Sequence, residues 1–412
     1  MSLTSRDQAN IARTRELLFR CFAVISCICL MIQILSIPYK IYSLTSLSNQ
    51  VLLISWLLIW FYTVITQLFK KVSYTLICVL SIVLMSLLSF GMAAVFNTGL
   101  FAQIGKLLGF FMLPMMIYCI RSVGITDKTR KAVLICNFIA SLLYIYLYHS
   151  PLRYSFTTKY GVVNIDSVTL GFPNPNQAAT MLFACTVLLL ASLFFFKSKL
   201  IKVLLLADIV YLSYIMFGTD SRTSVLLLAA FVVLALISIR RQLPKFITEF
   251  SLLSPVIYVV LAVAVGAALD FIQISGHNIF TGREEYYARY FDNLDPISFL
   301  FGDFAEFQFE NLHNGYISIA ATVGIVALTV YYVFLRKTLL DARRTLTRRF
   351  EKVAYCGLLC IVVYTCTEAG LLIGGAMYAF LISMTFFMMP TVNDEDAVCE
   401  EEIEQEEIPD LL

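Results

Sequence analysis

The residues best suited to chemistry in this chain are the adjacent pair His313 and Asn314, which nine residues separate from Gly324. The pair closes a long polar loop and opens an apolar stretch of helix length. An imidazole titrates near neutral pH, so His313 can hold or accept a proton at the boundary between lipid and water. A histidine that only caps the helix is the simpler alternative. The long loop, the neighbouring amide and a glycine that allows close helix packing favour the chemical role.

Two arginines predict an anion site near this histidine. Arg222 stands in a polar hinge between two apolar stretches, and Arg283 stands in an otherwise acidic loop. An arginine is costly beside lipid unless it faces a cavity or a partner, and its planar guanidinium matches a phosphate. The simpler alternatives are a side chain that extends to the lipid headgroups, or local ion pairs. Asp220 would pair with Arg222, and Glu284 or Glu285 with Arg283.

Three further polar residues stand beside or inside apolar stretches. Asn176 follows a turn and is expected to cap the next helix, with a hydrogen bond to a ligand hydroxyl as the alternative. Glu368 is expected near the same membrane face as His313, and we assign it to substrate binding together with Asn314. Asp208 is expected nearer the opposite face and is left out of the site.

The 412-residue chain is 59% hydrophobic, has a mean hydropathy of +0.82, and contains apolar runs long enough to cross a bilayer. It is therefore expected to be an all-α polytopic membrane protein. Twelve transmembrane spans are expected, at residues 17–37, 50–68, 74–95, 103–120, 132–149, 176–196, 201–218, 222–239, 251–269, 315–335, 353–367 and 370–389.

Lysine and arginine concentrate in alternate loops, as expected if both termini lie in the cytoplasm. The two long loops, 150–175 and 270–313, then fall on the outer face, the second between spans 9 and 10. Its mixture of acidic and aromatic residues favours amphipathic or re-entrant helices at the membrane surface. The transmembrane domain, 1–390, is followed by an acidic tail, 391–412, expected to be cytoplasmic and disordered.

The composition also bounds the partners. Because the basic residues are spread over short inner loops, they indicate contact with membrane lipids and argue against nucleic acid. The sequence contains no HExxH, no CxxC pair, no P-loop and no GxSxG, and residues 38–49 include no acid. We therefore expect no metal and no cofactor.

The chain resembles the bacterial O-antigen ligase and Wzy-type polysaccharide polymerase superfamily. Three motifs and one turn carry the resemblance: His313-Asn314-x9-Gly324, Ser221-Arg222, Thr281-Gly282-Arg283 and Asn174-Pro175-Asn176. The twelve spans and the large outer loop before the histidine fit too, so the resemblance covers nearly the whole chain. The sequence departs from the pattern at Ala327, where the ligase motif often has Gly, Thr or Tyr, and it lacks the Arg-x10-Gly motifs of some polymerases.

The resemblance implies a GT-C-like membrane fold and transfer of a glycan from a polyprenyl diphosphate carrier, with inversion. The reaction would take place at the outer face of the bacterial cytoplasmic membrane. The two arginines would stabilise the diphosphate without a metal, and the histidine would position or deprotonate the acceptor hydroxyl. The implied catalytic residues are His313, Arg283 and Arg222, and the implied substrate-binding residues are Asn314, Asn176 and Glu368.

Several activities fit this pattern. A polymerase would join lipid-linked repeat units, with a separate chain-length regulator as a further partner, and the departure at Ala327 favours it over a ligase that transfers to lipid A core. A protein oligosaccharyltransferase usually has an outer domain near its C-terminus, whereas the C-terminal segment here is short. A glycolipid flippase and a twelve-span transporter are alternatives from another class, and the late position of the large loop disfavours the transporter.

Overall fold

The computed structural model describes residues 5–68, 73–96, 104–158, 161–269, 273–274, 277–278, 283–303, 312–368, 372 and 376–390. The acidic tail and the Thr281-Gly282 part of the third motif lie outside these residues. The helices are α1 (Ser5–Ser36), α2 (Tyr42–Leu68), α3 (Tyr74–Phe96), α4 (Ile104–Val123), α5 (Asp127–His149), α6 (Pro175–Phe195), α7 (Lys199–Phe217), α8 (Arg222–Arg240), α9 (Lys245–Leu269), α10 (Arg283–Asp292), α11 (Pro296–Phe301), α12 (Gly315–Thr345), α13 (Arg349–Tyr364) and α14 (Ala376–Phe386).

Nine helices in the described part of the chain are long and apolar enough to cross a membrane: α1, α2, α3, α5, α6, α7, α8, α9 and α12. The chain is therefore a helical, multi-pass membrane protein. The other three expected spans fall on α4, α13 and α14, whose described apolar lengths are under 18 residues. Twelve spans and a GT-C-like fold remain predictions.

The bundle is built around three central helices. The span α6 is the most enclosed of the nine, and α13 packs against α6, α8 and α9. The third central helix, α12, packs against α3 and α9. The spans α7 and α8 are the least enclosed and present large apolar side chains, such as Leu226 and Val210, to the surroundings. His313, Asn314 and Glu368 therefore lie next to the ends of two central helices, α12 and α13.

The loop 150–175 is ordered by a hairpin and by contacts with the next loop. Strands β1 (Ser155–Thr158) and β2 (Gly161–Asn164) pair antiparallel. Beyond them, the Val168 N–H donates to the Gly218 carbonyl at 2.8 Å, and the Ser167 hydroxyl donates to the Asp220 carboxylate at 2.7 Å. A second short antiparallel pair, β3 (Gln273–Ile274) with β4 (His277–Asn278), follows α9. Both hairpins lie in loops between helices, so the prediction of an all-α architecture holds for the described residues.

The second long loop folds back onto the bundle through α10 and α11. On α10, Tyr287 and Tyr290 are buried three residues apart, as one face of a helix requires. Tyr287 packs with Val259 of α9, and Tyr290 packs with Ala321 of α12. Exposed polar side chains occupy the opposite face, so the prediction of an amphipathic helix is confirmed.

The long helix α12 is interrupted at Gly324, whose φ of 88° and ψ of 164° are not helical. A break of this kind deprives carbonyls in the preceding turn of their N–H donors within the helix. Two of those carbonyls are bound from outside the helix: the Asp303 N–H donates to the Ala321 carbonyl at 2.7 Å, and the Ser89 hydroxyl donates to that of Thr322 at 2.8 Å.

The break also admits the end of α11. A Cβ on Gly324 would lie 2.1 Å from the Leu300 carbonyl oxygen, and one on Gly302 would lie 2.4 Å from the backbone of Thr322. Both glycines have positive φ, which a side chain disfavours. The predicted close approach at Gly324 is therefore confirmed, with the backbone of α11 as the neighbour.

Replacing Gly324 with alanine should destabilise the protein by about 2–4 kcal/mol, because the new methyl clashes with backbone and its φ is unfavourable. Gly91→Ala is the matched control, since a Cβ there meets nothing within 4 Å; its effect should stay within about 1 kcal/mol. Thermal unfolding of both variants in the same detergent measures the difference. Equal midpoints would contradict the close packing.

Candidate functional site

The side chain of Asn314 holds together the segments around His313. Its amide oxygen accepts from the backbone N–H groups of Tyr316 and Ile317 at 3.0 and 3.1 Å, which caps α12. Its amide nitrogen donates to the carbonyls of Pro255 in α9, at 3.0 Å, and Cys366, at 3.3 Å. The side chain is fully buried and has used both its donors and its acceptor. The prediction that Asn314 binds substrate is therefore wrong; the residue positions its neighbour.

His313 is held in a left-handed backbone conformation, with φ of 50°. Leu312 before it is buried, so both of its neighbours are anchored in the bundle. The imidazole is half-buried, and its centre lies 6.4 Å from that of Tyr286. Burial, together with the positive charge of Arg283, lowers the pKa of His313 below its ordinary value of 6.5. The imidazole is therefore neutral at pH 7 and can accept a proton.

Arg283 is the first residue of α10, and the packing of that helix brings it to His313. Its guanidinium donates to the hydroxyl of Tyr258 in α9 at 3.4 Å. Its charge acts on the ionisation of both His313 and Glu368. A half-buried guanidinium among groups from three other segments is suited to an anionic ligand.

Glu368 follows the turn after α13 and is half-buried. Burial raises the pKa of its carboxyl to about 7, although Arg283 and a hydrogen bond with the side chain of Asn176 both lower it. Near pH 7 the group can therefore both donate and accept hydrogen bonds. The charge of Arg283 thus acts on both His313 and Glu368, and Asn176 hydrogen-bonds Glu368, so these four residues lie near one another.

The prediction that Asn176 caps α6 is wrong. The cap is Asn174, whose side chain accepts from the Asn176 N–H at 2.8 Å, and Pro175 occupies the first helical position. Asn176 lies within the first turn, which leaves its amide available to Glu368. The alternative role at the site is the one consistent with this position.

The segment that carries Arg222 contacts α13 through Ser221. Arg222 is the first residue of α8, and the preceding Ser221 lies 3.3 Å from the hydroxyl of Tyr364, one turn before Glu368. Asp220 has a positive φ and binds the hydroxyl of Ser167. The charge that acts on both titratable groups is that of Arg283, so Arg222 is the more peripheral of the two arginines.

Several residues of the site were not anticipated from the sequence. Tyr258 and Tyr364 lie inside apolar helices, where a tyrosine is normally read as a packing residue. Gln177, next to Asn176, hydrogen-bonds the hydroxyl of Tyr378, whose ring lies near Glu368. The only sequence signal near Gln177 and Tyr378 was the turn that leads into α6.

Asp208 lies apart from this group, against the hydroxyl of Ser141 in α5. Within the described ranges, no group of three histidine, cysteine, aspartate or glutamate residues is arranged to hold a metal. The described site thus comprises His313, Glu368, Asn176 and Arg283.

No protein-family model, no curated protein and no solved structure matches this chain.

Replacing Glu368 with glutamine should stabilise the protein at high pH. The folded-state pKa of about 7 lies above the ordinary value of 4.5, so ionisation costs native stability as pH rises between these values. At pH 8 the variant should gain roughly 1–2 kcal/mol over the wild type, after allowance for solvent exposure, and at pH 4 almost nothing. Thermal unfolding at both pH values measures this. Glu285→Gln, on an exposed residue, should show no such growth with pH.

A difference between Glu368→Gln and the wild type that is the same at pH 4 and pH 8 would show that burial does not oppose ionisation of this carboxyl.

Proposed function

We propose that this protein is a metal-independent membrane glycosyltransferase that takes glycan from a polyprenyl diphosphate carrier. Its acceptor is a second lipid-linked repeat unit, so the product is a bacterial surface polysaccharide such as O-antigen or capsule. The observation that carries the proposal is the position of one arginine, Arg283, beside both a neutral histidine and a buried acid. The motif resemblance to O-antigen ligases and Wzy-type polymerases supports it.

The arginines suit the donor half of the reaction. The bond from the anomeric carbon to the diphosphate oxygen breaks, and the departing diphosphate gains negative charge. A guanidinium fixed before the reaction stabilises that charge at little reorganisation cost. Arg283 is held by Tyr258 and by the packing of α10, and Arg222 adds a second cation from the start of α8.

His313 suits the acceptor half. The acceptor hydroxyl forms a new bond to the anomeric carbon on the face opposite the diphosphate, which inverts the configuration, and gives up its proton. The neutral imidazole of His313 takes that proton or orients the hydroxyl. Glu368 and Asn176 bind sugar hydroxyls, because the carboxyl near its pKa and the amide both donate and accept.

The proposed location is the cytoplasmic membrane, with both termini inside and the site at the outer face. A chain-length regulator is the proposed protein partner. Transfer of glycan to lipid A core is the second candidate, since the donor chemistry is the same, and a flippase is the third. These candidates differ in product, which makes them separable by experiment.

The decisive experiment supplies lipid-linked repeat units to the protein in liposomes and measures the size of the product. We expect a ladder of longer lipid-linked glycans that His313→Asn lowers by about 10²–10⁴-fold. Asparagine tolerates positive φ, so the loop conformation is kept. Transfer only after addition of lipid A core would identify a ligase. Movement of intact glycolipid across the bilayer without glycan transfer would contradict the proposal that the protein is an enzyme.

The pH dependence of activity tests whether His313 acts as the base. Activity should fall as pH drops through the lowered pKa of His313, below 6.5. Arg283→Gln removes the charge that depresses this pKa, so the acid limb should move to higher pH while the rate falls by about 10²–10³-fold. Arg283→Lys keeps the charge but not the planar fork, so it should lower the rate and leave the limb in place. A limb that stays fixed in Arg283→Gln would show that His313 only orients the acceptor.

A further inference from the structure

A polar cavity lies at the opposite end of α12 from His313. It encloses about 200 Å³ between the start of α3, the end of α4 and the second half of α12. Lys337, on its wall, lies beyond the break at Gly324, about 20 Å further along the second part of α12 at 1.5 Å per residue. The cavity is therefore separate from the candidate glycan site. On the orientation proposed above, it opens at the cytoplasmic face.

The lining of this cavity is cationic on balance. Arg121 and Lys337 each contribute one positive charge, and Asp341, which pairs with Lys337 at 3.0 Å, contributes one negative charge. The first turn of α3 also lines it, and the N-terminus of a 23-residue helix favours a negative ligand. The electrostatics therefore select an anion.

The wall carries hydroxyl groups in addition to the cations. Tyr118 is buried, and its hydroxyl hydrogen-bonds the side chains of Ser73 and Ser122. All three residues line the cavity. Hydroxyls and a guanidinium around one space are the groups that bind phosphate oxygens.

Thr338 gives the most specific sign of a ligand. It lines the cavity and is 1% exposed, yet its hydroxyl has no hydrogen-bond partner in the described part of the protein. Other threonines of the same helix, Thr322 and Thr329, donate to the carbonyl four residues earlier, as helical threonines commonly do. A buried hydroxyl left unbonded costs free energy, so a group that enters the cavity is expected to bind it.

We infer that this cavity binds a phosphate group, held by Arg121 and Lys337 and hydrogen-bonded by Thr338. The volume far exceeds the roughly 15 Å³ that a single water needs. It accommodates a phosphate with part of the molecule attached to it. Two sources share this chemistry: the headgroup of an anionic phospholipid, and soluble phosphate. On the proposed orientation, the cavity lies at the cytoplasmic ends of α3 and α4, where lipid headgroups are found, and this favours the lipid.

The test uses the full-length protein, stripped of lipid in a maltoside detergent, which contains no phosphate. Inorganic phosphate, phosphatidylglycerol and zwitterionic phosphatidylcholine are titrated separately. The midpoint of thermal unfolding reports binding, because a ligand of the native state raises it. We expect phosphatidylglycerol to bind more tightly than phosphatidylcholine. A response to inorganic phosphate that equals the response to phosphatidylglycerol would identify soluble phosphate as the source.

Two variants and a matched control assign the binding to this cavity. Lys337→Gln and Thr338→Val should each weaken anion binding by about tenfold. Arg344→Gln removes the same charge from an exposed position on the same helix and should bind like the wild type. Without ligand, Thr338→Val should unfold at the same or a higher temperature, because valine has nearly the same shape and lacks the unbonded hydroxyl.

Equal anion affinity in all four proteins would overturn the inference, and so would the absence of any response to either anion. In the first case the hydroxyl of Thr338 would be satisfied by a structural water, which the substitution to valine removes without affecting anion binding.

Discussion

The candidate site depends on the four hydrogen bonds of one buried amide, that of Asn314. They join the start of α12 to the middle of α9 and to the turn after α13, all within 3.3 Å. His313 is the preceding residue and Glu368 lies two residues beyond Cys366, so the positions of both depend on this amide. An apolar or smaller side chain would leave two carbonyls and a helix end unpaired in a dry environment, where each costs free energy.

Around this fixed point, burial and the charge of Arg283 reinforce each other at His313 and oppose each other at Glu368. Burial disfavours the charged form of both, which raises the pKa of Glu368 and lowers that of His313. The charge of Arg283 favours the ionised form of Glu368 and the neutral form of His313. Both effects therefore keep His313 neutral, while they oppose each other at Glu368 and bring its pKa close to neutrality. Burial and Arg283 together thus set the two protonation states on which the proposed chemistry relies.

The sequence predicted most of the helices, because long apolar runs between charged segments have few other solutions in a membrane. It also identified His313, Arg283 and Glu368, since polar residues beside apolar stretches are conspicuous. It did not give their mutual contacts. His313 and Arg283 are far apart along the chain and come together because the burial of Tyr287 and Tyr290 packs α10 against the bundle. Two tyrosines in a loop are not enough to predict that packing from the sequence.

Two asparagines were misassigned for a common reason: the same amide can cap a helix or bind a ligand. At the start of α6 the sequence held a usable clue, because Pro175 favours the first helical position and therefore makes Asn174 the cap. At Asn314 no such clue exists, since its role depends on carbonyls in distant segments. The break at Gly324 was equally hidden, because an isolated glycine is also tolerated inside a continuous helix.

Gly302 and Gly324 press the end of α11 against the break in α12, and each meets the backbone of the other's segment. Both also need positive φ, so a substitution at one cannot be compensated at the other. Any relative in which α11 packs against the break in α12 must retain both glycines, even where the surrounding apolar residues have been substituted. The spacing Gly302-x10-His313-Asn314-x9-Gly324 therefore provides a signature for recognising distant relatives whose overall similarity has vanished.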